Sequence, residues 1–262
     1  MLTNDQVSQF KSRGFLKSNR LLNDPQIEEL REELARVVRD KDSKTPQPFR
    51  IVNLTGNPDA PVWQIVNIWE ASEPYRRLVF NTQLVEEVAQ LSGTNQIRIW
   101  HDQIQFKPAV SGGVTAWHQD HPYWDIIQPA SQVTAWVALD DADEDNGCMS
   151  MVPGSHLWGN QIRFLETQKD FNGLPSRFED HALEVCRCPV RKGEVHFHHA
   201  LTWHGSHANK SGRPRRALAM HYMTEDTRFM AGGIHPLKPR VKVADGEKLQ
   251  GEHFPVVWKK AS

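Results

Sequence analysis

The spacing of hydrophobic positions divides the chain into a helical first third and a β-rich remainder. Over residues 24–38, Ile27, Leu30, Leu34, Val37 and Val38 recur at helical spacing, with Glu28, Glu29, Arg31, Glu32 and Glu33 on the other faces. That pattern predicts an amphipathic helix packed on a larger body. Asp24-Pro25 supplies an N-cap followed by proline at the first helical position, where its missing N–H costs nothing. Further helices are predicted over residues 3–12, 72–80 and 82–91, the last closed by Gly93. The Pro- and Lys-rich stretch 41–48 reads as a loop. From Gln96 the period shortens to two: Ile97, Ile99, His101, Gln103, Gln105 and Lys107 alternate with Arg98, Trp100, Asp102, Ile104 and Phe106. Residues 133–139 are β-branched and aromatic, 182–190 alternate, Lys192-Gly193 turns into 194–199, and 217–223 form another strand. Short strands at this spacing indicate a sandwich or barrel rather than a parallel α/β sheet. No composition break or repeat marks a second unit. The reading is therefore one domain over 1–262, with a helical part to about residue 95, a β core over about 96–225 and a C-terminal extension.

Composition narrows the function. Lys+Arg 31 against Asp+Glu 32 leaves a net charge of -1, so no overall field recruits nucleic acid or an anionic membrane. Hydrophobic residues at 39% and charged residues at 24% give a globular balance and exclude a wholly disordered chain. No apolar run approaches the ~18 residues a membrane helix needs, and the polar opening lacks a signal-peptide core. The three cysteines, with Cys186 and Cys188 two apart, read as free thiols of a cytoplasmic protein. Thirteen histidines change the picture. His118 and His121 form one group, and His196, His198, His199, His204 and His207 another; imidazole is the commonest metal ligand.

In Trp117-His118-Gln119-Asp120, residues two apart share a strand face, so His118 and Asp120 can converge on one point. A distant histidine, His204 of Trp203-His204-Gly205-Ser206, would complete a two-His-one-carboxylate arrangement. Such a set fills three positions of an octahedral iron and leaves three open, which suits Fe(II) activating O2 beside a bidentate co-substrate. An arginine on the following strand, among Arg213, Arg215 and Arg216, can grip a distant carboxylate through its planar fork.

These segments, together with Asp145-Asn146-Gly147-Cys148, Val152-Pro153-Gly154-Ser155-His156, Lys192-Gly193-Glu194-Val195, Asn209 and Arg215-Arg216-Ala217, resemble the phytanoyl-CoA dioxygenase family of Fe(II)/2-oxoglutarate-dependent oxygenases, over about residues 2–223. The resemblance implies an α+β, mainly β fold, a double-stranded β-helix (jelly-roll) buttressed by N-terminal helices. It implies that His118, Asp120 and His204 bind iron, and that Arg215 pairs with the distal carboxylate of 2-oxoglutarate beside Ser206. Trp136 lines the co-substrate pocket, and Gln105 and Lys107 lie where the family places a polar contact to it. The implied reaction couples decarboxylation of 2-oxoglutarate to succinate and CO2 with hydroxylation of a C–H bond by O2. Halogenating relatives carry Ala or Gly where this chain has Asp120, so the carboxylate argues against halogenation.

Other readings stay open. The same iron site could serve desaturation, cyclisation, epimerisation or endoperoxide formation, or the fold could be a non-catalytic metal-binding protein. A zinc hydrolase fits poorly, because no general base stands at a zincin spacing. Trp117, Tyr123, Trp124, Met149 and Trp203 flank the metal motifs and are candidates for the substrate pocket. Arg213 and Arg216 read as solvated or structural, His196 and His198 as outer partners, and residues 140–145 as a solvated acidic turn. The segment after Met223 is a candidate lid or subunit contact. The substrate, a small organic molecule, and any oligomeric state are not specified by the sequence.

Overall fold

The computed structural model describes residues 1–44 and 46–260. Along the chain come α1 (Asn4–Arg13), β1 (Phe15–Arg20), α2 (Asp24–Arg39), β2 (Arg50–Asn53), β3 (Trp63–Val66), α3 (Glu73–Val79) and α4 (Thr82–Ser92). The β-rich part contains β4 (Gln96–Lys107), β5 (Thr115–His118), β6 (Val133–Ala138), β7 (Met149–Met151) and β8 (Cys186–Cys188). It continues with β9 (Glu194–His199), β10 (His204–Ser206), β11 (Arg215–Thr224) and β12 (Val256–Lys259). A large sheet has the order β1-β9-β6-β11-β4-β3-β2, with β12 paired to the start of β4, and a small sheet has the order β8-β7-β10-β5. All of these pairings are antiparallel. The two sheets form the double-stranded β-helix that the resemblance implies.

Period-two alternation assigns the two faces of the large sheet different work. Val133, Ala135 and Val137, Val195 and Phe197, and Leu218, Met220 and Tyr222 point outward into a cluster with Phe10, Ile27, Leu30, Leu34, Leu84 and Val88 of the helices. Each fully buried Leu, Ile or Val there contributes about 1.5–3 kcal/mol against chain entropy. The alternate residues point inward, where Trp136, Ala138, Ala217 and Ala219 meet Met149 and Met151 of the small sheet. The inward face also carries His196, His198, Thr134, Arg215 and His221, all buried. It is this polar interior that makes a site.

Several local expectations need correction. The helix α2 is capped by Asn23, not Asp24: Asn23 Oδ1 accepts from Gln26 N at 3.0 Å while Gln26 Oε1 accepts from Asn23 N at 2.9 Å. Asp24 is instead free to pair with Arg20 and Lys192. Val38 lies off the buried stripe and is 44% exposed. The first third is not only helical, since β1, β2 and β3 lie in it and extend both sides of the large sheet. Of the alternating run 182–190 only β8 joins the small sheet: Ala182 pairs with Arg177 instead, and Pro189, with no N–H to continue a ladder, ends β8. Asp140 is not a solvated turn residue. It is buried, receives Nε and Nη2 of Arg216 at 2.8 Å each and Nη2 of Arg31 at 2.6 Å, and so ties α2 to the large sheet.

The C-terminal extension folds back on the core. Leu237, Leu249 and Phe254 pack with Trp100, Trp124 and Ile127, and Lys238 Nζ donates to the carbonyls of Ala231 and Gly233 at 2.6 and 2.8 Å. Among the described residues, no helix is long and apolar enough to cross a membrane.

Candidate active site

His118 ends β5, Asp120 follows two residues on, and His204 begins β10 as the register partner of His118. One candidate ligand atom from each of the three lies within 4.8 Å of the others. Nε2 of His118 and of His204 stand 3.7 and 3.6 Å from Asp120 Oδ1. The backbone sets which ring nitrogen is bare. Nδ1 of His118 is 2.8 Å from Ala116 O, and Nδ1 of His204 is 2.8 Å from Thr202 O. A carbonyl only accepts, so each Nδ1 carries the proton and each Nε2 keeps its lone pair. Burial, with the neighbouring imidazoles, lowers both rings to a pKa of about 4, so they are neutral donors at physiological pH. Burial raises the Asp120 carboxyl, but the imidazoles of His204, His198 and His221 around it hold it well below the usual carboxylate range. Two bare imidazole nitrogens and a carboxylate oxygen aimed at one point fit a divalent iron cation.

The other oxygen of Asp120 faces away from the two ligand nitrogens. Oδ2 is 3.2 Å from His198 Nε2 and accepts from Thr134 Oγ1 at 3.2 Å; Thr134 Oγ1 is in turn 2.8 Å from His221 Nδ1. Thr134 and His221 escaped the reading of the sequence. The signal was present, because residues 215, 217, 219 and 221 share the inward face of one strand.

Deeper in the interior, Arg215 is 1% exposed, and its Nε and Nη1 have no hydrogen-bond partner. Its guanidinium lies over the Trp136 ring, 5.5 Å from the centroid. The indole Nε1 of Trp136 donates to Gln105 Oε1 at 3.2 Å. Gln105, Trp136, Ser206 and Met149 line the narrow recess that runs from the triad, together with Thr115 and Ala219. Lys107, the register partner of Arg215, is buried but occupied: its Nζ donates to the carbonyls of Ser206 and His207. A buried arginine with unmade hydrogen bonds fits the carboxylate of a small acid such as 2-oxoglutarate. Arg213 and Arg216 pair with Asp143 and Asp140.

Outside the triad opens a cavity of about 840 Å³ whose lining includes His118 and Asp120. Trp117, Trp124, Gln64, Gln103, His235 and Leu237 contribute walls, with Tyr123 at 51% exposure. The extension after Met223 thus supplies one wall through His235 and Leu237. Trp203 does not reach the cavity lining; it is wholly buried against Trp158, Phe164 and Phe178, a packing role behind the triad. His121 is also structural, with Nε2 3.0 Å from Ile127 O. His196 stacks on Phe15.

The phytanoyl-CoA dioxygenase (PhyH) family model matches residues 10–217. The peroxisomal phytanoyl-CoA dioxygenase of Bos taurus is 26% identical over 251 residues, covering 88% of this chain and 71% of the relative. Among solved structures, the non-heme alpha ketoglutarate dependent carbocyclase SnoK from nogalamycin biosynthesis has a TM-score of 0.82 at 25% identity, covering 97% of this chain and 96% of that one. The epimerase SnoN from the same biosynthesis has a TM-score of 0.77 at 23% identity, covering 97% of this chain and 98% of that one, a likeness of fold. The match over most of the chain, on a double-stranded β-helix that brings His118, Asp120 and His204 together, places this chain in the phytanoyl-CoA dioxygenase family, as an iron- and 2-oxoglutarate-dependent dioxygenase.

Proposed function

We propose that His118, Asp120 and His204 hold the iron, that Arg215 and Ser206 hold 2-oxoglutarate in the recess floored by Trp136 and Gln105, and that the 840 Å³ cavity takes the molecule to be oxidised. The observation that carries this reading is the pairing of a converged triad with a buried arginine whose Nε and Nη1 have no protein partner. When bound, the iron supplies the activation of O2 that is coupled to decarboxylation of the ketoacid. The chain's own residues do the placing. Ala116 O and Thr202 O fix the two imidazoles in the tautomer that presents Nε2. Arg215 orients the acid through a charge-assisted fork. Trp117 and Trp124 contribute apolar surface to the cavity wall beside the triad.

Hydroxylation of a small organic molecule is the first reading. Cyclisation or epimerisation on the same iron is the second, favoured by the near full-length similarity to the carbocyclase SnoK. The test is succinate formation from 2-oxoglutarate with Fe(II) and ascorbate, with product analysis by mass: a gain of one oxygen marks hydroxylation, a loss of two hydrogens ring closure or desaturation, and no mass change epimerisation. Metal binding with no succinate formed under any condition would favour the non-catalytic metal-binding protein instead. We read the chain as one catalytic domain, because helices and large sheet share one apolar cluster. The unpaired thiols of Cys148, Cys186 and Cys188 support a reducing compartment such as the cytoplasm.

A further inference from the structure

The protons around Asp120 can be located one by one. A carboxylate only accepts, so the 3.2 Å contact between His198 Nε2 and Asp120 Oδ2 requires the proton of His198 on Nε2. Thr134 has one hydroxyl proton, and it too goes to Oδ2, at 3.2 Å. Its oxygen must then accept from the third member, which fixes the proton of His221 on Nδ1, 2.8 Å away. All four residues are buried. The counterpart nitrogens, Nδ1 of His198 and Nε2 of His221, have no partner. Oδ1, by contrast, is the oxygen 3.6–3.7 Å from Nε2 of His204 and of His118.

We propose that His198 and Thr134, with His221 behind Thr134, are positioning residues that hold Asp120 by Oδ2 so that Oδ1 alone is offered to the metal. The inference rests on the reading of the triad as the iron site. Its chemical consequence is coordination number. A carboxylate free to rotate can chelate through both oxygens and occupy a position that the ketoacid or O2 needs, whereas one pinned by two donors on Oδ2 stays single-toothed. Three of six positions then remain open. None of the three residues is adjacent to a ligand in sequence. They reach Asp120 because the inward faces of β6, β9 and β11 lie side by side, with His198 in register with Thr134 and Thr134 in register with His221.

The test uses the full chain loaded with Fe(II) or Co(II). Co(II) reports coordination number through its visible absorption, independent of turnover. His198→Leu and Thr134→Val each remove one donor, and His198→Gln returns an N–H near the Nε2 position. Expected are a fall in metal affinity of roughly 10–100-fold for His198→Leu, a smaller fall for Thr134→Val, and a changed Co(II) spectrum in both. A higher KM for 2-oxoglutarate and substantial recovery in His198→Gln should accompany these changes. Thr134→Val, nearly the same shape, guards against a His198→Leu protein that does not fold. Unchanged affinity and unchanged spectrum in folded His198→Leu and Thr134→Val would overturn the inference, as would full loss in His198→Gln. Equal metal binding by the wild type and His118→Ala would instead overturn the assignment of the triad, so the two failures are distinguishable.

Discussion

Lys107 and Arg215 are register partners on β4 and β11, both buried inside the barrel, but only the lysine spends its hydrogen bonds on the protein. Burial lowers Arg215 to a pKa of about 10, which leaves it charged at neutral pH. Burial, then Arg215 itself, pushes Lys107 well below the usual lysine range. On the proposed function Arg215, not Lys107, is the anion-binding member of the pair, because an uncompensated guanidinium in the interior is costly until a carboxylate arrives.

Arg215→Met should therefore have opposite effects on two measurements. The metal-free, 2-oxoglutarate-free protein should melt at a higher temperature, since an unpaired buried charge is replaced by an apolar chain. The 2-oxoglutarate concentration needed for half-maximal succinate formation should rise roughly 10- to 100-fold, the worth of hydrogen bonds to a charged group. An unchanged 2-oxoglutarate requirement would count against the assignment.

Loss of a ligand should be more severe than loss of an outer partner. His118→Ala, Asp120→Ala and His204→Ala should each lower Fe(II) affinity by more than the roughly 10–100-fold expected for an outer partner and abolish succinate formation. Metal content after dialysis and the succinate assay check this together. Retained activity in His204→Ala would point to His198 as a substitute ligand.

The metal-free protein should lose stability as the pH falls from about 7 towards 4. Burial lowers His118, His199, His204 and His235 to about 4 and His221 to about 3, while the unfolded chain titrates near 6.5. In that window the unfolded state binds more protons than the folded one, so acidification favours unfolding. The melting temperature, recorded between pH 7.5 and 5 without metal, should fall steadily as the pH is lowered. A flat profile would contradict neutral burial of these rings.

Gly14→Ala should damage both stability and the metal site. Gly14 closes α1 at φ 81, and an added Cβ would come within 2.4 Å of His156 Nδ1 and 2.6 Å of Thr202 Oγ1. Gly14 O also accepts from Thr202 Oγ1 and His199 N at 2.8 Å each, and Thr202 O orients His204. The expected cost is about 2 kcal/mol or more, read by denaturant unfolding, with weakened Fe(II) binding in the surviving protein.

The sequence was informative where chemistry is carried by spacing along one strand or one helix. His118 and Asp120 share a motif, the stripe Ile27, Leu30, Leu34 and Val37 marks α2, and the alternation of 96–107 marks β4 with its inward Gln105 and Lys107. It misjudged features settled by neighbours distant in the chain. Trp203 borders the metal motif in sequence yet packs away from the cavity, and Asp140 belongs to a turn of carboxylates yet is drawn in by Arg31 and Arg216.

What the sequence alone supplied was the candidate donor set His118, Asp120, His204 and Arg215; strand parity did not place Asp120, which stands past the end of β5 at the start of the next turn. What only the tertiary structure decided was which oxygen of Asp120 lies toward His118 and His204 and which residues contact the other, since His198, Thr134 and His221 come from three strands whose register is fixed by sheet pairing. Hydrogen bonds between strands far apart in the chain depend on that register, and no spacing along a single strand records it.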